Sequence, residues 1–377
     1  MPRRRDFLQH LAMAASVAGL SCVARKPPQT ASPTDIRSRR SFAPVQVSSD
    51  RVTRTVVGLR PFRPSGFVVR AEKTGGKTIV HNYGHGGGGM TLSWGTAFLA
   101  VELALPLGQS NIAVVGCGGV GLATARLLQR KGCAVTIYAR DLPPETTSNI
   151  SGAQWLPVSV FAHDSATPEF LAQFIRAAHI SNRYFQAMLG DYYGVRWLPN
   201  YLLSDEPLAD GVVLGANSPL RDLYPEFRDL GRDEHPFDAR YALQFDTMMI
   251  EPPIYLNAVL RDFYLAGGRV VVREFSSRDD VLALPEPVVM NCTGLGAGAL
   301  FDDRELTPVK GQLTVLLPQP EVDYAVIQGE LYMFPRRDGV LLGGTHERGE
   351  WSLEPNLEAQ RRIMEGHRQL FGSMRLS

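Results

Sequence analysis

The chain of 377 residues is short of several features that would announce a function at once. Net charge is nearly absent, because 39 Lys and Arg stand against 38 Asp and Glu, a formal charge of +1. No global field therefore draws nucleic acid or an anionic membrane, and partners must be read from local sites. Cysteine is scarce: Cys22, Cys117, Cys133 and Cys292 are too few and too scattered for a disulfide framework or a zinc site. The last three sit in apolar or glycine-rich strand contexts suited to buried free thiols. No obvious catalytic His, Asp or Lys stands out, and no metal ligand set does either. What the chain does have is a 44% hydrophobic composition, enough for a sizeable core in about two domains. It also has 36 glycines, several of them clustered in two loops where ligand contacts are expected.

The first residues read as an address. Arg3-Arg4-Arg5 precede Asp6-Phe7-Leu8, and residues 11–24 are apolar and rich in small side chains. This is the layout of a signal peptide, and its apolar run is too short for a membrane span of ~20 residues. Arg4-Arg5-Asp6-Phe7-Leu8 resembles a twin-arginine export signal, a route that moves folded proteins with their cofactors already trapped. The expected location is outside the cytoplasm, periplasmic or secreted, with the export machinery as a partner. Cleavage after Ala24 is the simpler reading; a lipid anchor at Cys22 is the alternative, although Gly19 stands where a lipobox carries a large aliphatic. Residues 25–47, rich in Pro, Ser, Thr and Arg, read as a linker.

Ile112-Ala113-Val114-Val115 reads as a buried strand and runs straight into Gly116-Cys117-Gly118-Gly119-Val120-Gly121. A helix over residues 122–130 and a second strand, Ala134-Val135-Thr136-Ile137-Tyr138, follow. In that context Gly116, Gly118, Gly119, Val120 and Gly121 form a dinucleotide-binding turn, in which a pyrophosphate meets the backbone at a helix N-terminus. The second strand ends on Arg140-Asp141, and the arginine taken alone suggests NADP.

Further motifs carry a resemblance. Leu142-Pro143-Pro144-Glu145-Thr146-Thr147-Ser148 and Gly152-Ala153-Gln154-Trp155-Leu156-Pro157 resemble the second flavin-contacting stretch of the D-amino-acid oxidase family. Asn291-Cys292-Thr293-Gly294, Ala297-Gly298-Ala299-Leu300 and Gly311-Gln312 resemble its strand returning beneath the flavin. Tyr332-Met333-Phe334-Pro335, Leu342-Gly343-Gly344-Thr345 and Gly349-Glu350-Trp351 resemble its substrate-facing strands. Two more motifs, Val57-Gly58-Leu59-Arg60-Pro61-Phe62-Arg63-Pro64 and His81-Asn82-Tyr83-Gly84-His85-Gly86-Gly87 with Gly89-Met90-Thr91, stand near the family's C-terminus but precede the dinucleotide motif here. That order implies a circular permutation, with the chain around Ser377 lying close to that around Asp50.

The resemblance implies an α/β fold, a Rossmann-like FAD-binding domain with a second domain of mixed β-sheet for the substrate. It divides the chain into a flavin part at 48–160, of which 48–107 is the permuted segment, substrate parts at 161–250 and 301–377, and a flavin continuation at 251–300. It implies FAD as cofactor, held by the glycine turn, by Arg140, Asp141, Thr146, Thr147, Ser148, Gly152, Gln154 and Trp155, by Phe275, Thr293 and Gly294, and by Gly86, Gly87, Gly88, Gly89, Met90 and Thr91. Arg60 and Tyr332 are implied to take the substrate α-carboxylate and the carbonyl of Gly87 the amine. The activity implied is oxidation of D-amino acids to 2-oxo acids, with oxygen as acceptor and ammonia and hydrogen peroxide released. Related flavoenzymes acting on glycine, N-methyl or acidic amino acids, or an inactive flavin-binding protein, are the alternatives; a homodimer is allowed. His81 and His85 are expected to shape their loop, Gly88 to widen the pocket, and Ile327-Gln328-Gly329-Glu330 to replace the family's lid with a short turn.

Overall fold

A computed structural model describes residues 42–375. The leader at 1–24, Cys22 and the linker as far as Ser41 lie outside the described residues. From the N-terminal side the chain forms β1 (Val52–Phe62), β2 (Val68–Thr74), β3 (Lys77–Tyr83), α1 (Gly89–Ala104), β4 (Asn111–Val115), α2 (Gly119–Arg130) and β5 (Ala134–Ala139). Next come α3 (Thr147–Ile150), α4 (Pro168–Gln186), β6 (Val195–Ser204), β7 (Arg228–Leu230), β8 (Tyr241–Ile250), α5 (Pro252–Leu265), β9 (Arg269–Val272), α6 (Arg278–Leu282), β10 (Val288–Asn291) and α7 (Gly296–Phe301). The last elements are β11 (Thr307–Leu316), β12 (Ala325–Gln328), β13 (Leu331–Arg336), β14 (Gly339–Gly343), β15 (Glu347–Arg348) and α8 (Leu357–Gly372).

The strands make two sheets. The smaller has the order β2-β3-β10-β4-β5-β9, parallel throughout except for the β2 edge. Its central strands are continuous apolar runs, as burial on both faces requires. The β4–α2–β5 unit shows why the local sequence folds as it does: Gly118 caps α2, and Gly132, with φ at 85°, ends it. There the amides of Gly132 and Cys133 close back on the carbonyls of Gln129 and Leu128, which is a Schellman stop. Helix α1 is apolar all round because it is buried all round, against α2 on one side and α4 on another. Gly95 permits that crossing; an added Cβ would fall on the carbonyl of Ala177 in α4.

The larger sheet runs β1-β11-β14-β13-β12-β6-β8-β7, with β15 on β11. It is antiparallel apart from the β12–β6 pair, so the mixed α/β class is as read from the sequence. The boundaries of the segments differ in two places. Strand β1, inside the segment 48–107 expected beside the dinucleotide turn, pairs with β11 from Val52 to Phe62 and so belongs to the larger sheet. Phe42, Val45 and Val47, inside the expected linker, pack with Tyr324, Leu370, Phe371 and Met374 because their side chains are the apolar cover of that sheet's far end.

Candidate active site

On β1, Gly58, Arg60 and Phe62 share one face of the larger sheet. Gly58 meets Ile150 of α3, and Phe62 bridges to His85 at the glycine loop. Arg60 lies flat across Gly311 of β11, where an added Cβ would sit 2.5 Å from Nη2. Tyr332 lies flat across Gly343 of β14, and an added Cβ there would overlap its ring. The two glycines are a floor on which the side chains meet: Arg60 Nη2 donates to Tyr332 Oη at 3.4 Å and Nη1 to the carbonyl of Thr345 at 3.3 Å. These bonds are long, and Arg60 has no carboxylate partner among the described residues. Arg63, in the same strand motif, is saturated by Asp303 at 2.9 Å and Glu305 at 2.6 Å. Arg63 therefore clamps the end of β1 to the start of β11, while the Arg60 fork keeps donors for an incoming carboxylate. The floor role of Gly311 and Gly343 was not read from the sequence; a glycine inside an apolar strand is the signal, because it marks close approach.

At the ends of the parallel strands lies the dinucleotide turn. Gly116 has φ at 113°, and a Cβ on it would fall on the Cys292 carbonyl, so no other residue fits. Gly121 lets α2 approach the Gly116 carbonyl in the same way. Met90, at the start of α1, packs its sulfur 2.7 Å from where a Gly119 Cβ would be, so α1 runs beneath the turn. Ser148 Oγ accepts from the amide of Gly119 at 2.9 Å. Gly294, with φ at 57°, faces open space beside Thr293, whose hydroxyl is fixed by Asn291 at 2.7 Å. This cradle fits a dinucleotide: glycine backbone at a helix start, with Ser148 and Met90 reaching the Gly119 end. Arg140 is held by Asp141 at 2.9 Å and Glu274 at 3.4 Å, and the two carboxylates neutralise the charge a 2′-phosphate would need. Phe275 packs edge-on to Tyr138 at that same strand end, under Arg273. Val120 is half-buried in the first turn of α2.

One short segment joins the two regions. Thr146 caps α3 and bonds Asn149 at 2.8 Å, Thr147 and Ser148 open the helix at the turn, and four residues on Gly152 packs under Phe334, where an added Cβ would sit 2.8 Å from that ring and 3.9 Å from the Tyr332 ring. Gln154 bonds Asn200, its carbonyl accepts from Thr91 Oγ1 at 3.3 Å, and Trp155 is fully buried, its amide held by the Met248 carbonyl at 2.7 Å.

In the glycine loop, Gly86 has φ at 54° and packs on Phe62 and the Ser159 carbonyl, which also accepts from the Gly87 amide at 2.9 Å. Gly87 is exposed and Gly89 opens α1. No hydrogen bond links Gly87 to Arg60 or Tyr332 among the described residues. Gly88 does not widen a pocket: a Cβ there would lie 2.5 Å from Val160, which fills the space. Gly329-Glu330 is the two-residue turn between β12 and β13, so this hairpin carries no lid. His81 lies between Glu72 and Asn291, each at 3.0 Å. His85 bonds Thr96 at 2.9 Å and stacks on Phe67, and complete burial drives its pKa down to about 3.

The sequence model of the FAD dependent oxidoreductase family matches residues 24–103 and 111–376. The chain belongs to that family. It is an FAD-dependent oxidoreductase, with FAD as its cofactor. A D-amino-acid oxidase from Rubrobacter xylanophilus is 31% identical over 254 residues, covering 64% of this chain and 72% of its own. A D-amino acid oxidase from Dugesia ryukyuensis is 26% identical over 281 residues, 70% of this chain and 78% of its own. The D-aspartate oxidase of Homo sapiens is 29% identical over 265 residues, 68% and 74% of the two chains. Glycine oxidase from Geobacillus kaustophilus superimposes with a TM-score of 0.52 at 17% identity, over 71% of this chain and 80% of that one, a likeness of fold.

Proposed function

We propose that the protein oxidises D-amino acids to 2-oxo acids, consuming oxygen and water and releasing ammonia and hydrogen peroxide. The observation that carries this is Arg60: a half-buried guanidinium without a carboxylate partner among the described residues, beside Tyr332, whose ring neighbours Gly152, four residues along the chain from Ser148 at the dinucleotide turn. The names of the relatives support the same substrate class.

Arg60 and Tyr332 hold the α-carboxylate by charge-assisted bonds, a geometry lysine does not reproduce. Gly87, exposed in the glycine loop, offers its carbonyl to the amine. Holding both groups fixes the α-hydrogen, and orientation is the protein's share of the rate. FAD, which the glycine turn at residues 116–121 would hold, would supply the two-electron acceptor for that hydrogen, with oxygen as the final oxidant. No side-chain base is required when the amine binds neutral, and water hydrolyses the released imino acid. Export through residues 1–24 and cofactor loading before export complete the reading; replacing Arg4 and Arg5 by lysine is expected to leave active enzyme in the cytoplasm.

The test is a flavin spectrum of the purified protein with a peroxide assay over D- and L-amino acids. Flavin absorbance and peroxide from D-forms alone are expected. Peroxide from L-forms alone refutes the reading, and flavin without peroxide from any substrate marks an inactive flavin-binding protein.

A further inference from the structure

The larger sheet places a second arginine beside Arg60. Val309 of β11 pairs with Arg60 on one side and with Arg348 of β15 on the other. Residues directly opposite across strands share a face, so both arginines rise on the same side of the sheet, two strand spacings or about 10 Å apart at the backbone. Arg348 leans back across β11 toward β1: its guanidinium carbon stands 5.0 Å from the centre of the Phe62 ring, and Phe62 is on the Arg60 face. His346, two residues before Arg348 and exposed, is on that face as well, next to the Thr345 carbonyl that Arg60 bonds.

Neither Arg60 nor Arg348 pairs with a carboxylate among the described residues. The Arg348 side chain has no ion pair and no hydrogen bond there, and its guanidinium stands over the Phe62 ring. The carboxylate that acts on His346 is Glu330, itself 3.7 Å from Arg362. After partial burial, the charge of Arg60 is the main influence lowering the pKa of His346, so the two groups sense each other. One α-carboxylate on Arg60 leaves Arg348 uncompensated, whereas a molecule with two carboxylates answers both.

We propose that Arg348, with His346 beside it, is a second anion subsite, and that the protein prefers D-amino acids whose side chain ends in a carboxylate. The proposal rests on reading Arg60 as the α-carboxylate anchor. Arg60 and Arg348 divide the work: one fixes the carboxylate next to the reacting carbon, the other selects the side chain by its charge, as a paired arginine fork does for any planar carboxylate.

The holoenzyme and Arg348→Gln are compared for kcat/KM with D-aspartate, D-glutamate and D-alanine, and for binding of malonate against acetate by calorimetry. Arg348 is exposed, so the variant folds. The expected result is a wild-type preference for the acidic substrates, a fall of tenfold or more in the ratio of D-aspartate to D-alanine efficiency in the variant, and a matching loss of malonate affinity. Equal or better use of D-alanine by the wild type, or a ratio untouched by the substitution, overturns the subsite while leaving D-amino acid oxidation in place. If no D-amino acid is oxidised, the proposed activity fails, and the subsite is then decided by malonate alone: a tenfold weakening in the variant upholds it, equal binding overturns it.

Discussion

Two arginines three residues apart illustrate how much of function is decided by partners that a sequence does not display. Arg60 and Arg63 share a motif, yet Arg63 is consumed by Asp303, Glu305 and Ser65, while Arg60 touches only a phenol and a carbonyl at long range. Arg60→Leu is expected to lower kcat/KM by roughly tenfold to a hundredfold with flavin content retained, as loss of a charge-assisted pair implies. Arg63→Leu strands two carboxylates in a largely buried place and is expected to cost stability by about 3 kcal/mol or more, read as a lowered urea midpoint. Equal effects of both variants on stability would contradict the division of labour. His85 gives a prediction in pH. Its folded pKa of about 3 lies below the ~6.5 of an unfolded histidine, so between those values the unfolded chain holds the extra proton. Its contribution is complete above ~6.5 and is lost as pH falls toward 3, at about 1.4 kcal/mol per pH unit. Burial depresses His81 and His367 in the same direction, so acid destabilisation is steep. His85→Gln is expected to flatten the slope by one proton between pH 6 and 4; an unchanged slope would show that His85 does not titrate with unfolding.

The elements differ in how openly the sequence announces them. The strand at Ile112 and α2 behind it were legible because each is a local pattern: an apolar run and a glycine-rich start. Sheet membership was not, because β1 carries no mark of its partner; only the three-dimensional register with β11 assigns it to the larger sheet. The same holds for Phe42, Val45 and Val47, whose polar neighbours hide their burial. In the site, Arg60 and Tyr332 were legible through their motifs, whereas the filling of the Gly88 space by Val160 depends on a loop 72 residues away in the chain. The glycine floor is the clearest element-scale device. Gly343→Ala is expected to push the Tyr332 ring off β14, because the new methyl would occupy the ring's place. The Tyr332 hydroxyl then leaves Arg60, so KM should rise several-fold while flavin binding, which depends on the other sheet, persists. An alanine variant with wild-type KM would show that Tyr332 does not share in binding the carboxylate.

At the scale of the whole molecule, we propose that the chain is a circular permutation of the family order. The family's sequence model matches in two stretches, 24–103 and 111–376. The described structure begins and finishes in one apolar cluster: Phe42 and Val45 pack with Leu370, Phe371 and Met374, and Tyr324 Oη donates to the Ala43 carbonyl at 2.7 Å beside the Met374 sulfur. At the other joint, α1 passes through the turn at Leu105–Leu107 to Gly108, which is exposed, has φ at 68° and meets nothing within 4 Å, before β4 begins. A chain opened at that exposed turn and closed by a short Gly/Ser linker from residue 377 to Phe42 keeps every packed contact of both sheets. What changes is loop entropy, which grows only as the logarithm of loop length and amounts to about 1–2 kcal/mol here. The reordered chain, starting at Ser110 and ending at Gly108, is therefore expected to fold, to bind FAD in equal amount and to unfold within about 8 °C of the original, since 1 kcal/mol shifts a domain above 150 residues by roughly 2–4 °C. Exposed turns with few contacts are where such openings are tolerated. A reordered chain that stays insoluble, or that folds without flavin, would show that the two halves depend on their present order and that the shared packing of Phe42 and Met374 is incidental.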